Sequence, residues 1–180
     1  MSSKALSFLS ITLLLSTAPK LPAQAPKDLE AVFETDLGSF RLEFLPEKAP
    51  KHVDFFADLI RKGFYDGSGF HRVFAYGLIQ GGDPLLKDPK TKKELWGTGG
   101  LRLLKSEFND TKHERGIVST VSIPNVADSE GAQFFICLAP QPALDGKYTV
   151  WARVTEGIET IEKVSAVPAG DGGLVEKPVR

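Results

Sequence analysis

The sequence predicts a mainly-β fold, a closed antiparallel barrel with helices over its ends. Three observations lead there. Short runs of alternating apolar and polar residues recur along the chain, Gly-rich turns separate them, and two stretches switch to a helical period. Closure into a barrel removes the unpaired strand edges that so many short strands would otherwise expose.

The first two runs flank a turn. Ala31, Phe33 and Thr35 alternate with Val32 and Glu34, Asp36-Leu37-Gly38-Ser39 reverses the chain, and Phe40, Leu42 and Phe44 alternate with Arg41 and Glu43. This is a hairpin with one polar face. From Pro46 to Gly63 the period changes: Val53, Phe56, Ala57 and Ile60 fall on one helical face, with Pro50 near the start and Gly63 as the stop. Lys51, Asp54, Asp58, Arg61 and Lys62 occupy the solvated remainder. The stretch FHRVFAYGLIQGGD, residues 70–83, reads as a strand, a break and a second strand.

Residues 84–98 are loop-like, and Gly97-Thr98-Gly99-Gly100 is turn material. GIVSTVSI (116–123), QFFICLA (133–139) and YTVWARV (148–154) are β-type runs, and Leu144-Asp145-Gly146-Lys147 turns between the last two. A short helix is predicted over residues 157–164, with Ile158, Ile161 and Val164 inward and Thr155 as its candidate cap.

Bulk properties narrow the function. The chain has 180 residues, 42% of them hydrophobic, enough for one domain with a sizeable core. Lys and Arg number 22 against 23 Asp and Glu, so no global field draws the chain to nucleic acid or an anionic membrane. The single cysteine, Cys137, sits in an apolar run and reads as a buried small hydrophobe. The first 25 residues differ in kind: Lys4, an apolar stretch from Ala5 to Leu15, then Ala23-Gln24-Ala25. That layout predicts a secretory signal peptide over 1–25, too short for a comfortable membrane span, ahead of a domain over 26–180. Pro26 after Ala25 leaves the cleavage position open. Export to the periplasm follows if the segment is cut, and tethering to the inner membrane if it is not.

Chemistry-bearing motifs are few. His52, His71 and His113 pair with no other His or Cys at ligand spacing, so no metal is implied. His71, between Phe70 and Arg72, reads as a hydrogen-bonded packing residue. No Gly-x-Ser-x-Gly elbow occurs, and Ser119, Ser122 and Ser129 have no evident His-Asp partners in sequence. Asn109-Asp110-Thr111 fits a glycosylation sequon but is read as a cap. There remain Arg72 and Gln80 on one strand region and Gln133 with Phe135 on another. Gln133 and Phe135 share a face, and Arg72 joins Gln80 on one if the irregularity between them preserves parity. By spacing alone, an ordinary two-sided strand, with Arg72 solvated and Phe135 merely packed, is the favoured explanation.

Taken together, FHRV…QGGD, GTGG, EFND, GAQFFI and LDGKYTV occur in the order that resembles the cyclophilin-type peptidyl-prolyl isomerases, particularly the small bacterial exported forms, over about residues 31–164. The resemblance implies an eight-stranded closed antiparallel barrel capped by two helices, with the site on its outer surface. By that resemblance Arg72 is the catalytic arginine and Gln80 the substrate-orienting glutamine. Gln133, Phe135 and Leu144 bind the substrate, Leu78 replaces a family Met at similar volume, and Ser122 takes a backbone-anchoring Asn position. It implies no cofactor and proline-containing unfolded or extended polypeptides as partners; a monomer is expected, although the sequence does not give the oligomeric state.

Departures accompany these matches. Gly77 stands where the family has a pocket Phe, Ala143 where it has Trp or Phe, and Tyr148 where a His is frequent. Phe-Gly-Lys-Val becomes Trp151-Ala152-Arg153-Val154, placing a bulky ring in the barrel. Losing the Gly77 ring forfeits about 1.5–3 kcal/mol of apolar contact unless another ring replaces it. Tyr76 is the expected substitute. Loss at Ala143 weakens cyclosporin-type binding. The alternative function is a peptide-binding module or chaperone with weak turnover.

Overall fold

The computed structural model describes residues 29–180; the predicted signal segment lies outside them. Eight strands, β1 (Glu30–Thr35), β2 (Gly38–Phe44), β3 (Phe70–Phe74), β4 (Leu78–Gly81), β5 (Ile117–Thr120), β6 (Phe134–Cys137), β7 (Val150–Glu156) and β8 (Leu174–Val179), join two helices, α1 (Pro50–Arg61) and α2 (Ile158–Ser165). All strands belong to one antiparallel sheet in the order β1-β2-β7-β5-β6-β4-β3-β8.

The sheet is curled but not closed, which corrects the expected closed barrel. Its edge strands β1 and β8 share no ladder among the described residues. They meet at one point, where the Asp36 N–H donates to the carbonyl of Arg180. Curling comes from strand twist and from side chains that reach across the sheet. Phe33 of β1 lies 5.7 Å from Phe134 of β6, ring centroid to ring centroid, and Phe40 of β2 lies 6.2 Å from Phe70 of β3. Pro178 has no N–H to offer a further neighbour, in keeping with an edge position for β8. Between the two edges runs a hollow of about 370 Å³, flanked by Val32 to Thr35 on one side and by Gly67 to Phe70, Val179 and Arg180 on the other. The sequence pattern shows no strand at β8, because Glu176, Lys177 and Pro178 blur its alternation even though Val175 and Val179 are buried.

The helices pack as their periods predict. Helix α1 starts on Pro50, is followed by Gly63 in the left-handed region, and buries Val53, Phe56 and Ala57 along with His52. Trp151 of β7 is fully buried and stacks on Phe56, with centroids 3.8 Å apart and planes 9° from parallel. The bulky ring is therefore absorbed at the sheet–helix interface. Helix α2 buries Ile161 and Val164 but is not capped by Thr155. Thr155 still belongs to β7, and its hydroxyl donates to the Arg41 carbonyl at 3.5 Å. The residue before the helix is Gly157, left-handed at φ 76°, and a Cβ there would lie 2.2 Å from the Ser39 carbonyl oxygen. Glycine is what lets β2 and α2 approach so closely.

The connection from β4 to β5 is tied down by one carboxylate. Asp83, fully buried, accepts from the N–H groups of Leu85 (2.9 Å), Gly97 (2.6 Å) and Gly99 (3.4 Å). Those bonds hold the Gly97–Gly100 turn beside β4. Asn109 acts as the cap read from sequence: its amide donates to the carbonyls of Lys48, Glu107 and Val150, and its Oδ1 accepts from the Thr111 N–H.

Candidate active site

Sheet register assembles the site. Arg72 opposes Gln80 across β3 and β4, Gln80 opposes Phe135 across β4 and β6, and Phe135 opposes Ser119 across β6 and β5. Directly opposed residues of a sheet share a face, so Arg72, Gln80 and Phe135 stand in one row on three neighbouring strands. A register irregularity between Phe70 and Arg72 makes this possible. Phe70, His71 and Val73 are buried, while Arg72 between them turns to the opposite side.

The row borders a hollow of about 470 Å³. Phe74, Leu78, Phe135, Leu144 and Tyr148 give it apolar walls, and Leu101, Val121, Ile123 and Pro124 continue the apolar surface with Ser122 among them. Arg72 is the one charged residue in its wall. No carboxylate pairs with the guanidinium among the described residues, and its Nε is buried without a hydrogen-bond partner. His71, next in sequence, adds no second cation: burial lowers its pKa to about 4. Among the described residues both of its ring nitrogens lack hydrogen-bond partners, which corrects the expectation of a hydrogen-bonded His71. The nearby Asp83 carboxylate is committed to backbone N–H groups, so His71 packs against the Gly97 turn instead.

The two glutamines occupy different depths. Gln80 Nε2 donates to Gln133 Oε1 at 3.0 Å, and Gln133 Nε2 donates to the Gly99 carbonyl at 2.6 Å. Gln133 is fully buried and takes no part in the wall of the hollow, whereas Gln80 does. Gln133 therefore braces Gln80 against the Gly97–Gly100 turn. One N–H of Gln80 is used in that brace, and the other, with its Oε1, has no partner among the described side chains.

Tyr76 does not replace the ring missing at Gly77. It is 80% exposed and lies outside the hollow. Tyr76 is the third residue of the turn closed by Gly77 N–H to Phe74 C=O (2.8 Å), with φ at 59°, and that left-handed backbone directs its side chain to solvent. The rings that do wall the hollow are Phe74, Phe135 and Tyr148, the last set edge-on to Phe135 at 5.4 Å. A Cβ on Gly77 would meet Phe74 O at 3.4 Å and Gln141 Nε2 at 3.6 Å, ordinary contact. Ala143 is exposed and absent from the wall.

Two side-chain clusters and one cysteine lie behind or beyond the row. Ser119, His113 and Asp145 come together although their spacing in sequence shows no such grouping: His113 Nδ1 is 3.0 Å from Asp145 Oδ1, and Nε2 is 3.0 Å from Ser119 Oγ. Ser119 is fully buried, so this is no hydrolytic nucleophile. His52 lies between two carboxylates, Glu107 at 2.7 Å and Glu130 at 2.8 Å. Cys137 is buried and its thiol is pushed up to about 12 by that burial, which leaves it inert. The described residues hold no cluster of three or more metal-ligating side chains placed to take an ion.

Comparison with known proteins bears on this site. Residues 31–180 match the family model for cyclophilin type peptidyl-prolyl cis-trans isomerases. The match extends past residue 164 to include β8. A peptidyl-prolyl cis-trans isomerase-like 1 protein of Gibberella zeae is 38% identical over 146 residues, spanning 77% of this chain and 83% of the relative. The isomerase CYP18-2 of Arabidopsis thaliana is 38% identical over 145 residues, spanning 77% and 81%. Among solved structures, a Cryptosporidium parvum cyclophilin-type isomerase crystallised in the presence of the dipeptide Ala-Pro superposes with a TM-score of 0.72 at 27% identity, covering 82% of this chain and 92% of that one.

Proposed function

The chain belongs to the cyclophilin-type peptidyl-prolyl cis-trans isomerases, and from that premise we propose how its residues do the work and where they do it. The observation that carries the proposal is the row of Arg72, Gln80 and Phe135, with an unpaired guanidinium beside an apolar hollow. Amide resonance gives the X–Pro bond a rotation barrier of about 18–20 kcal/mol. As the bond twists, conjugation is lost and electron density returns to the prolyl nitrogen. A cation aimed at that nitrogen stabilises the twisted state more than either planar one, and only such a difference lowers the barrier.

Arg72 suits the task because it stays charged, its fork is rigid, and no carboxylate among the described residues competes for it. Neutral His71 beside it leaves a single positive centre. Leu78, Phe135 and Leu144 grip the proline ring. The free amide groups of Gln80, held in place by Gln133, bind the peptide backbone on either side, and Ser122 borders its path. No proton or electron is transferred, so the step asks for no cofactor. An Ala-Pro unit is a suitable minimal ligand to try; the related Cryptosporidium parvum isomerase was crystallised in the presence of that dipeptide.

A protease-coupled assay on an Ala-Pro peptide tests the mechanism. Wild-type protein accelerates exchange over the spontaneous rate, and Arg72→Ala loses most of that acceleration; equal rates for the two contradict it.

The finer reading is a small bacterial exported form, acting as a monomer on unfolded or extended exported chains in the periplasm. Export rests on Lys4, the apolar stretch and Ala23-Gln24-Ala25, all outside the described residues. Fractionation of a bacterium expressing the full chain with a C-terminal tag checks it. A shortened protein in the periplasm is the expected result, a full-length one in the membrane fraction means a tether, and a full-length one in the cytoplasm refutes export.

A further inference from the structure

We propose that His113 is a positioning residue of the proline pocket, holding the Leu144 wall in register with the Phe135 wall through an Asp145–His113–Ser119 relay. The proposal rests on the same site as the isomerase mechanism and adds a residue that does not line the hollow. His113 is buried, and its backbone brackets the short helical turn Pro142–Leu144: the Gln141 N–H donates to the His113 carbonyl at 2.8 Å, and the His113 N–H donates to Asp145 Oδ1 at 2.9 Å. Leu144, the pocket residue, lies between those two anchors.

The ring extends the brace to the sheet. Nδ1 faces Asp145 and Nε2 faces Ser119, both at 3.0 Å. A neutral imidazole satisfies both contacts in one tautomer, donating Nδ1–H to the carboxylate and accepting the Ser119 hydroxyl proton at Nε2. Ser119 is the residue directly opposite Phe135 in the sheet. The imidazole also lies against Phe135, with centroids 5.9 Å apart and planes 17° from parallel, and Tyr148 packs edge-on to both rings, 6.5 Å from His113 and 5.4 Å from Phe135. Phe135, Tyr148 and Leu144, three walls of the hollow carried by different elements, thus share one buried support. Hydrogen-bonded backing of this kind is what keeps an apolar grip from relaxing when it is empty.

The arrangement resembles a hydrolytic triad but lacks an accessible nucleophile, since Ser119 is fully buried. It transmits position only.

The test uses full-length protein, an Ala-Pro peptide, and two readouts: peptide Kd, and kcat and KM measured separately. His113→Phe keeps the ring and removes both hydrogen bonds; His113→Asn keeps a donor near the Nδ1 position. Because the relay shapes the grip and leaves Arg72 in place, His113→Phe raises Kd and KM by about tenfold, equivalent to about 1.4 kcal/mol, with kcat changed far less. His113→Asn restores much of the affinity. Ser119→Ala, a smaller change, weakens binding by a few-fold and carries the test if His113→Phe does not fold. A merely structural role gives fewer active molecules, hence lower apparent kcat at unchanged KM and Kd, and that result overturns the proposal; so does a loss of affinity that His113→Asn fails to restore. If the wild-type protein binds peptide without accelerating exchange, the isomerase mechanism fails while the Kd series still decides the role of His113.

Discussion

Two hollows of similar size lie on this sheet, and they differ in what converges on them. The one beside β3, β4 and β6 measures about 470 Å³ and brings an unpaired guanidinium and a braced amide to an apolar wall. The one in the seam between β1 and β8 measures about 370 Å³ and borders core rings, Phe33, Phe70 and Phe134, together with strand edges. Volume therefore does not mark the reactive site. What marks it is a charge and an amide held by sheet register and by second partners, where a twisting amide bond can use them. The seam, by contrast, is where the sheet stops short of closing.

The two regions answer to different substitutions. At the seam side, Phe134 is buried against Phe33, Tyr65, Phe70 and Trp151. Phe134→Ala destabilises the fold by about 3–5 kcal/mol, measured by urea denaturation, while the row of Arg72 and Gln80 keeps its chemistry in whatever fraction remains folded. His71 separates the regions by pH. It stays neutral in the fold down to about pH 4, whereas the unfolded chain takes up a proton on it near its usual 6.5. Between those values the unfolded state binds more protons, so stability falls as pH drops through the window, by up to about 1.4 kcal/mol per pH unit. Denaturation midpoints of wild type and His71→Gln at pH 7 and pH 4.5 check this, and the difference between the two proteins widens at the higher pH.

Smaller effects sharpen the comparison within the site. Gly77 does not itself wall the hollow, but it precedes Leu78, which does, and it has no positive φ and room for a Cβ; a Gly77→Phe ring that reaches the wall lowers the Kd of a prolyl peptide by about tenfold, from about 1.5–3 kcal/mol of apolar contact less the cost of ordering the side chain, and an unchanged Kd means that it does not reach. Tyr76→Ala leaves peptide affinity and turnover within about twofold, as expected for an exposed residue away from such features. A large loss there means the ring swings in when peptide binds.

How much of this was legible in the sequence depends on the range of the cause. The β1–β2 hairpin and both helices follow from local period and from Pro50, Gly63 and the apolar faces, and they form where expected. The pairing of Arg72 with Gln80 was legible as a condition on parity, because a hairpin translates spacing into register. Depth was not. Alternation says that Gln133 and Phe135 share a face but not that Gln133 is sealed beneath the Gly99 turn. The direction of Tyr76 was not legible either, because it depends on a left-handed φ that composition does not reveal. The Asp145–His113–Ser119 relay joins residues separated by 32 and 6 positions on different elements, so only the assembled sheet brings them together. Closure is not legible because it depends on whether two edges meet along their length, and among the described residues they meet only at Asp36 and Arg180.

The central claim is that Arg72 lowers the rotation barrier without being needed for the grip. Exchange between cis and trans forms of an Ala-Pro peptide, followed at equilibrium by NMR with wild-type and Arg72→Ala protein at matched saturation, tests it most directly. The account predicts that the substituted protein still binds the peptide within about tenfold of wild type, while catalysed exchange falls by about 10²–10³-fold, the loss typical of removing one preorganised electrostatic group. Exchange that persists at the wild-type rate with peptide bound contradicts it.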